Sequence, residues 1–182
     1  MERRAAIELR VAGGKVPRLV GHAAVWDAPS DDLGGFTEII RRGAFKRSLA
    51  ANALDPLALV HHLPHLVLGR RSAGTLKLSE DERGLAFEVD LPDTQTAREL
   101  TVSVERGDIR GASFAFTVAK GGDKWTPTES GALRELLDVD LHEISVTATP
   151  AYPDTDVARR ALLSIAPRPR LAQLRRFLET CK

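Results

Sequence analysis

The sequence is poor in features that would place it at a glance. It has one cysteine in 182 residues, Cys181, one residue from the end. That excludes an intrachain disulfide and any multi-thiolate metal site, and it suits a reducing compartment. Charge of one sign is not in excess: 26 Lys and Arg against 25 Asp and Glu give a formal net charge of +1, unlike the basic balance of a nucleic-acid-binding domain. Long apolar runs are missing too, so the sequence predicts no membrane-spanning helix. The opening MERRAAIELR has the basic residues of a signal peptide, but Glu8 and Arg10 break what would be its apolar centre. The expectation is a soluble, unexported chain with no membrane or specific nucleic-acid partner. No internal repeat or low-complexity tract is visible.

What is present is the composition of an ordinary globular protein, 43% hydrophobic and 28% charged. The length fits one domain that can bury a core without metal or disulfide staples. Six segments alternate in the manner of strands: 5–11, 18–26, 36–40, 57–62, 74–78 and 84–91. Helices are expected over 43–52 and after Asp93 as cap, the second with Ala97, Leu100 and Val104 on one face and Gly107 ending it. Then come a strand, GASFAFTV (111–118), a polar hairpin or loop (119–132) and a long strand-like run, LRELLDVDLHEISVTATP (133–150). The pattern predicts a β-rich α+β fold, a mostly antiparallel closed or half-closed barrel of about six to seven strands flanked by helices. From Pro153 the texture changes to Arg and Leu. Residues 159–182 hold seven Lys or Arg against one Glu, which divides the chain into a domain over 1–158 and a basic helical tail over 159–182.

Three separated segments invite chemistry. His61, His62 and His65 crowd into five positions, but Pro64 and the strand-like alternation spoil the helical zinc pattern, and no Glu lies among them to serve as base. No metal or other cofactor is expected. In GASFAF, alternation puts Ala112, Phe114 and Phe116 on an apolar face and Gly111, Ser113 and Ala115 on a face of small side chains that presents the Ser113 hydroxyl. In VDLHEISVT (139–147), strict alternation groups Val139, Leu141, Glu143, Ser145 and Thr147 on one face and Asp140, His142, Ile144 and Val146 on the other. An acid within so apolar a strand is costly unless it is paired. If Glu143 accepts from one nitrogen of His62, the other can take a proton from Ser113.

Taken together, LALVHHLPHLVLGRRSAGTLKLSEDERGLAFEVDLPDT, VERGDIRGASFAF and VDLHEISVTATPAYPDTDV, with GHAAVWD and FTEIIRRGAFKRSLA before them, resemble the prohead proteases of tailed bacteriophages, serine peptidases similar to the herpesvirus assemblins. The resemblance runs over roughly residues 7–158. It implies that His62 is the catalytic base, in an NHD-like motif where His61 takes the Asn place and Leu63 stands where Asp is common. It implies that Ser113 is the nucleophile of a G-x-S-x-F strand and Glu143 the acid of an E-[VI]-S strand, with His142 as the rival for that third role. Arg159 and Arg160 become candidates for oxyanion support by the same analogy. The implied activity is cleavage of scaffolding protein, or of a scaffolding segment of the major capsid protein, inside the immature procapsid in the host bacterial cytoplasm, with a homodimer or higher oligomer as the assembly to test. A catalytically inactive capsid-assembly module of the same fold is the alternative, and a metal-dependent hydrolase built on the histidines a third.

Overall fold

The computed structural model describes residues 1–6, 9–12, 17–50, 54–129 and 131–148. They form twelve strands and two helices: β1 Glu2–Ala6, β2 Leu9–Ala12, β3 Arg18–Val25, β4 Phe36–Ile40, α1 Lys46–Ala50, β5 Leu57–Val60, β6 Leu63–Arg70, β7 Leu76–Glu80, β8 Gly84–Asp90, α2 Gln95–Glu105, β9 Gly111–Val118, β10 Asp123–Thr128, β11 Gly131–Leu136 and β12 Val139–Thr147. The β-rich α+β class is as expected, but the strands divide into three sheets of order β1-β9-β12-β5-β6, β10-β11-β4 and β2-β3-β8-β7, none closed into a barrel. Two of the pairings are parallel, β12 with β5 and β11 with β4.

One core joins the five- and four-stranded sheets. Ala112, Phe114 and Phe116 of β9 meet Leu19, Leu76, Leu85, Phe87 and Val89 in a single cluster. Phe114 lies edge-on to Phe45 at 5.3 Å between ring centroids and stacks with Phe116 at 5.2 Å, geometries that favour aromatic pairs beyond their buried area. The three-stranded sheet carries its own small cluster, Leu33 and Phe36 with Trp125 and Ala132. Beside it the buried Arg134 bonds Asp123 at 2.9 Å and Glu38 at 3.1 Å, so that none of these buried charges stands unpaired.

The structure corrects several local expectations. The cap of α2 is Thr94, whose Oγ1 accepts from the Ala97 amide at 3.3 Å, while Asp93 pairs with Arg98 instead. Ala97, Leu100 and Val104 form its buried face and Gly107, at φ 79, follows its end, as read. The first helix begins at Lys46 and not at residue 43, because Gly43 at φ 93 lies outside helical geometry. Strand β6 was hidden in the sequence by Pro64 and the polar histidines around it. The predicted polar hairpin over 119–132 is paired as β10 and β11.

The most consequential correction concerns β12. Leu141 faces Phe116 and Glu143 faces Ala115 across β9, so His142 is the extra residue of a β-bulge. Val139 and Leu141 therefore share the core with Ile144 and Val146, contrary to strict alternation. Beyond the bulge, Glu143, Ser145 and Thr147 turn to the opposite face. The expected tail over 159–182 lies outside the described residues.

Candidate active site

The site is built on the face of the five-stranded sheet turned away from the core. Its first component is the connection between β5 and β6. Val60 pairs with Leu63, so His61 and His62 are the two central residues of a tight hairpin, both left-handed at φ 51 and 58. Such a turn matches strand twist but normally uses Asn-Gly or Asp-Gly. Holding two histidines there costs on the order of 1–3 kcal/mol each, a strain that surrounding structure must offset.

The offsetting contacts all come from β12. The His61 amide donates to the Val146 carbonyl at 2.9 Å, and His61 Nδ1 meets Thr147 Oγ1 at 3.2 Å. The His62 amide donates to Ser145 Oγ at 2.9 Å. His62 Nδ1 makes a short hydrogen bond to Glu143 Oε1, across 81 residues of sequence. With the Glu143 carboxylate as acceptor, Nδ1 carries the proton and Nε2 is the nitrogen left for proton transfer. Glu143 is only 7% exposed, so the acid that looked costly in the sequence has the partner its burial requires.

Ser113 is the second component. Its side chain is fully buried and its Oγ has no hydrogen-bond partner, an uncommon condition that calls for a reason. Register places it directly opposite Ser145 of β12, and opposed residues of an antiparallel pair have Cβ atoms about 4.5–5.5 Å apart. The residue opposite the nucleophile candidate is thus the one that anchors the main chain of His62. The structure brings Glu143, and not His142, to the His62 ring; His142 bonds Thr117 Oγ1 at 2.9 Å instead. His65 is exposed on β6. Arg159 and Arg160 lie outside the described residues. The sequence reading put Ser145 and Thr147 on the face of Glu143 but gave them no task; hydroxyls at every second position after the acid were the available signal.

The far end of the β5–β6 hairpin is fixed by charge. Asp55 accepts from Arg70 at 2.6 Å, from the Ser72 hydroxyl at 2.7 Å and from the Ser72 amide at 2.8 Å, and these bonds, Arg70 first, hold its carboxyl down to about 2. A cavity of about 870 Å³ opens elsewhere, on the four-stranded sheet, lined among others by Arg10, His22, Lys77, Asp81 and Arg110. In it His22 pairs with Asp81 at 2.8 Å. Burial there works against the charge on Asp81, but the His22 bond and the Gly84 and Arg83 amides outweigh it and lower the carboxyl to about 2. None of Ser113, His62 and Glu143 is among its lining residues, and the His62–Glu143 pair is the better guide to chemistry. A carboxylate-steadied imidazole and an orphaned hydroxyl on one sheet face are the parts of a base-activated nucleophile.

The family model described as caudovirus prohead serine protease matches residues 5–166. The chain is 30% identical over 154 residues to the prohead protease of Enterobacteria phage HK97, a match covering 83% of this chain and 64% of that protein. A 99-residue stretch is 33% identical to scarecrow-like protein 13 of Arabidopsis thaliana, covering 54% of this chain and 17% of the plant protein. The bacteriophage T4 capsid assembly protease superposes with a TM-score of 0.43 at 9% identity, over 81% of this chain and 99% of that one. Matched along most of its length by that family's model, the chain belongs to the caudovirus prohead serine proteases.

Proposed function

We propose that this chain is a serine endopeptidase in which Ser113 is the nucleophile, His62 the general base and Glu143 the acid that orients and charges-balances the imidazole. The observation that carries the reading is the His62 Nδ1 bond to Glu143, which leaves Nε2 for a proton, on a sheet face that also holds the unpartnered Ser113 hydroxyl. Ser113 attacks a peptide carbonyl as His62 takes its proton, the amine leaves with that proton, and water releases the acyl-enzyme with the roles reversed. The developing oxyanion needs donors from backbone N–H groups or from Arg159 or Arg160, each worth on the order of 10²- to 10³-fold in turnover.

The substrate is scaffolding protein, or a scaffolding segment of the major capsid protein, cut inside the immature procapsid. Family membership and the HK97 relative's description as a prohead protease support this. The protease domain ends near residue 158, and the basic tail over 159–182 recruits scaffold and is removed by the enzyme itself.

Coexpression with the capsid protein of the same phage tests the reading. The wild-type chain should shorten its partner. Ser113→Ala should stay folded and lose cleavage by several orders of magnitude, and a chelator should change nothing. Uncut partner beside intact wild-type chain would favour an assembly module; chelator-sensitive cleavage that survives Ser113→Ala would favour a metal hydrolase.

A further inference from the structure

Ser145 has no part in the proton transfer, yet its placement is as constrained as that of any residue in the site. It is fully buried, two residues after Glu143 on the same face of β12, and directly opposite Ser113 on β9. A hydroxyl buried without hydrogen bonds costs about 1–3 kcal/mol, so one kept at such a position has work to do. Its hydroxyl oxygen accepts the main-chain N–H of His62 at 2.9 Å, in a residue whose left-handed backbone, φ 58, follows another at φ 51.

The hairpin itself cannot enforce that conformation. Pairing between β5 and β6 is regular only at its far end; register shifts interrupt it between Ala58 and Leu59 and again between Leu59 and Val60. The bond to Glu143 fixes one edge of the ring, and the His61 amide ties the preceding residue to the Val146 carbonyl at 2.9 Å, but neither holds the His62 amide itself, and the ring is joined to it through two side-chain torsions. Fixing the amide as well removes that freedom. The two anchors are separated by two residues of one strand, about 7 Å, and one of them stands across from the nucleophile.

We infer that Ser145 is a positioning residue for the peptidase reaction: its hydroxyl holds the His62 main chain so that the base and Ser113 are both located relative to a single residue of β12. This rests on the peptidase reading given above. Misplacement of a catalytic group by about 1 Å can cost on the order of 10²-fold in rate, which sets the size of the effect.

The full-length chain is treated with a fluorophosphonate, which labels an activated serine without needing the natural substrate, and cleavage of the capsid protein is followed in parallel. Ser145→Ala should slow labelling of Ser113 by about 10- to 100-fold and lower kcat with little change in KM. Ser145→Thr keeps an acceptor hydroxyl and should recover most of the rate. Ser145→Cys is close to serine in size but a weak acceptor, so it should behave like alanine. Rates that follow the hydroxyl, with melting temperatures that do not, support the assignment. Rates that follow side-chain size, with Cys near wild type and Thr impaired, would overturn it, as would an Ala variant that labels at the wild-type rate. Should the Ala variant fail to fold, the Thr and Cys pair decides by the same contrast. A folded wild-type chain that takes up no label removes the peptidase reading and this inference with it, whereas a labelled wild type with indifferent variants removes the inference alone.

Discussion

At the scale of single residues, the neighbours Glu143 and His142 have separate environments, and their substitutions should differ accordingly. Glu143→Gln keeps the shape of the side chain but removes the charge that steadies a protonated His62, and it can favour the wrong imidazole tautomer. A loss of about 10²- to 10⁴-fold in kcat is expected, with KM near its wild-type value. His142→Ala removes a bond to Thr117 and should leave turnover within about tenfold of wild type, since it is Glu143 that bonds the His62 ring. Steady-state kinetics on the two purified variants checks both; a larger loss from His142→Ala would move the third role to it. The pairing of His62 with Glu143 was legible in the sequence because a buried acid in an apolar strand needs a partner and an imidazole is an economical one. The bulge was not, since nothing in VDLHEISVT marks His142 as the unpaired residue. Strict alternation put Glu143 with Val139 and Leu141, and only the cross-strand register with β9 shows the change of face.

At the scale of elements, the β5–β6 hairpin has an interrupted ladder and is held at both ends by polar contacts. Asp55 closes the end opposite the histidines, and its lowered carboxyl ties that closure to pH. A carboxyl whose folded value, about 2, lies under its ordinary 3.8 contributes stability that is present above 3.8 and is lost as pH falls toward 2. Asp55→Asn should therefore melt below wild type at pH 7, with the gap narrowing between about pH 4 and pH 2 and closing at lower pH. Thermal melts across that range measure it, and the gap should be modest because the pair is exposed to solvent. The existence of this hairpin could not be read from LPHLVLGR, in which an early proline and exposed Leu63 and Val67 resemble a loop. Strands β5, β8 and β9, with apolar positions in steady alternation, were legible for the opposite reason.

At the scale of the whole molecule, the β-rich class could be read from composition and spacing, while the division into three sheets could not. Closure depends on which strands find each other across long stretches of chain, and local pattern does not specify partners. The shared core between two of the sheets makes the catalytic face dependent on packing behind it. Phe114→Ala would empty a fully buried position that Phe45 and Phe116 flank, and a loss of about 3–5 kcal/mol in denaturant unfolding is expected. Because Phe114 follows Ser113 and points to the other face, the variant should retain nucleophile and base where it still folds. A stability change of under about 1 kcal/mol would mean that this core is less tightly packed than its aromatic contacts imply.

Strand β12 lies between β9 and β5 in the sheet order, so the ladder that links the Ser113 strand to the His62 hairpin runs through it. A ribosome must have released nearly 150 residues before this middle strand can slot in between neighbours made long before. Until then β9 has only β1 beside it and the β5–β6 hairpin has no strand on its β5 edge, so Glu143 and Ser145 have not yet met the His62 turn. The order in which the strands emerge makes this middle strand the keystone of its sheet, set last between pieces already cut.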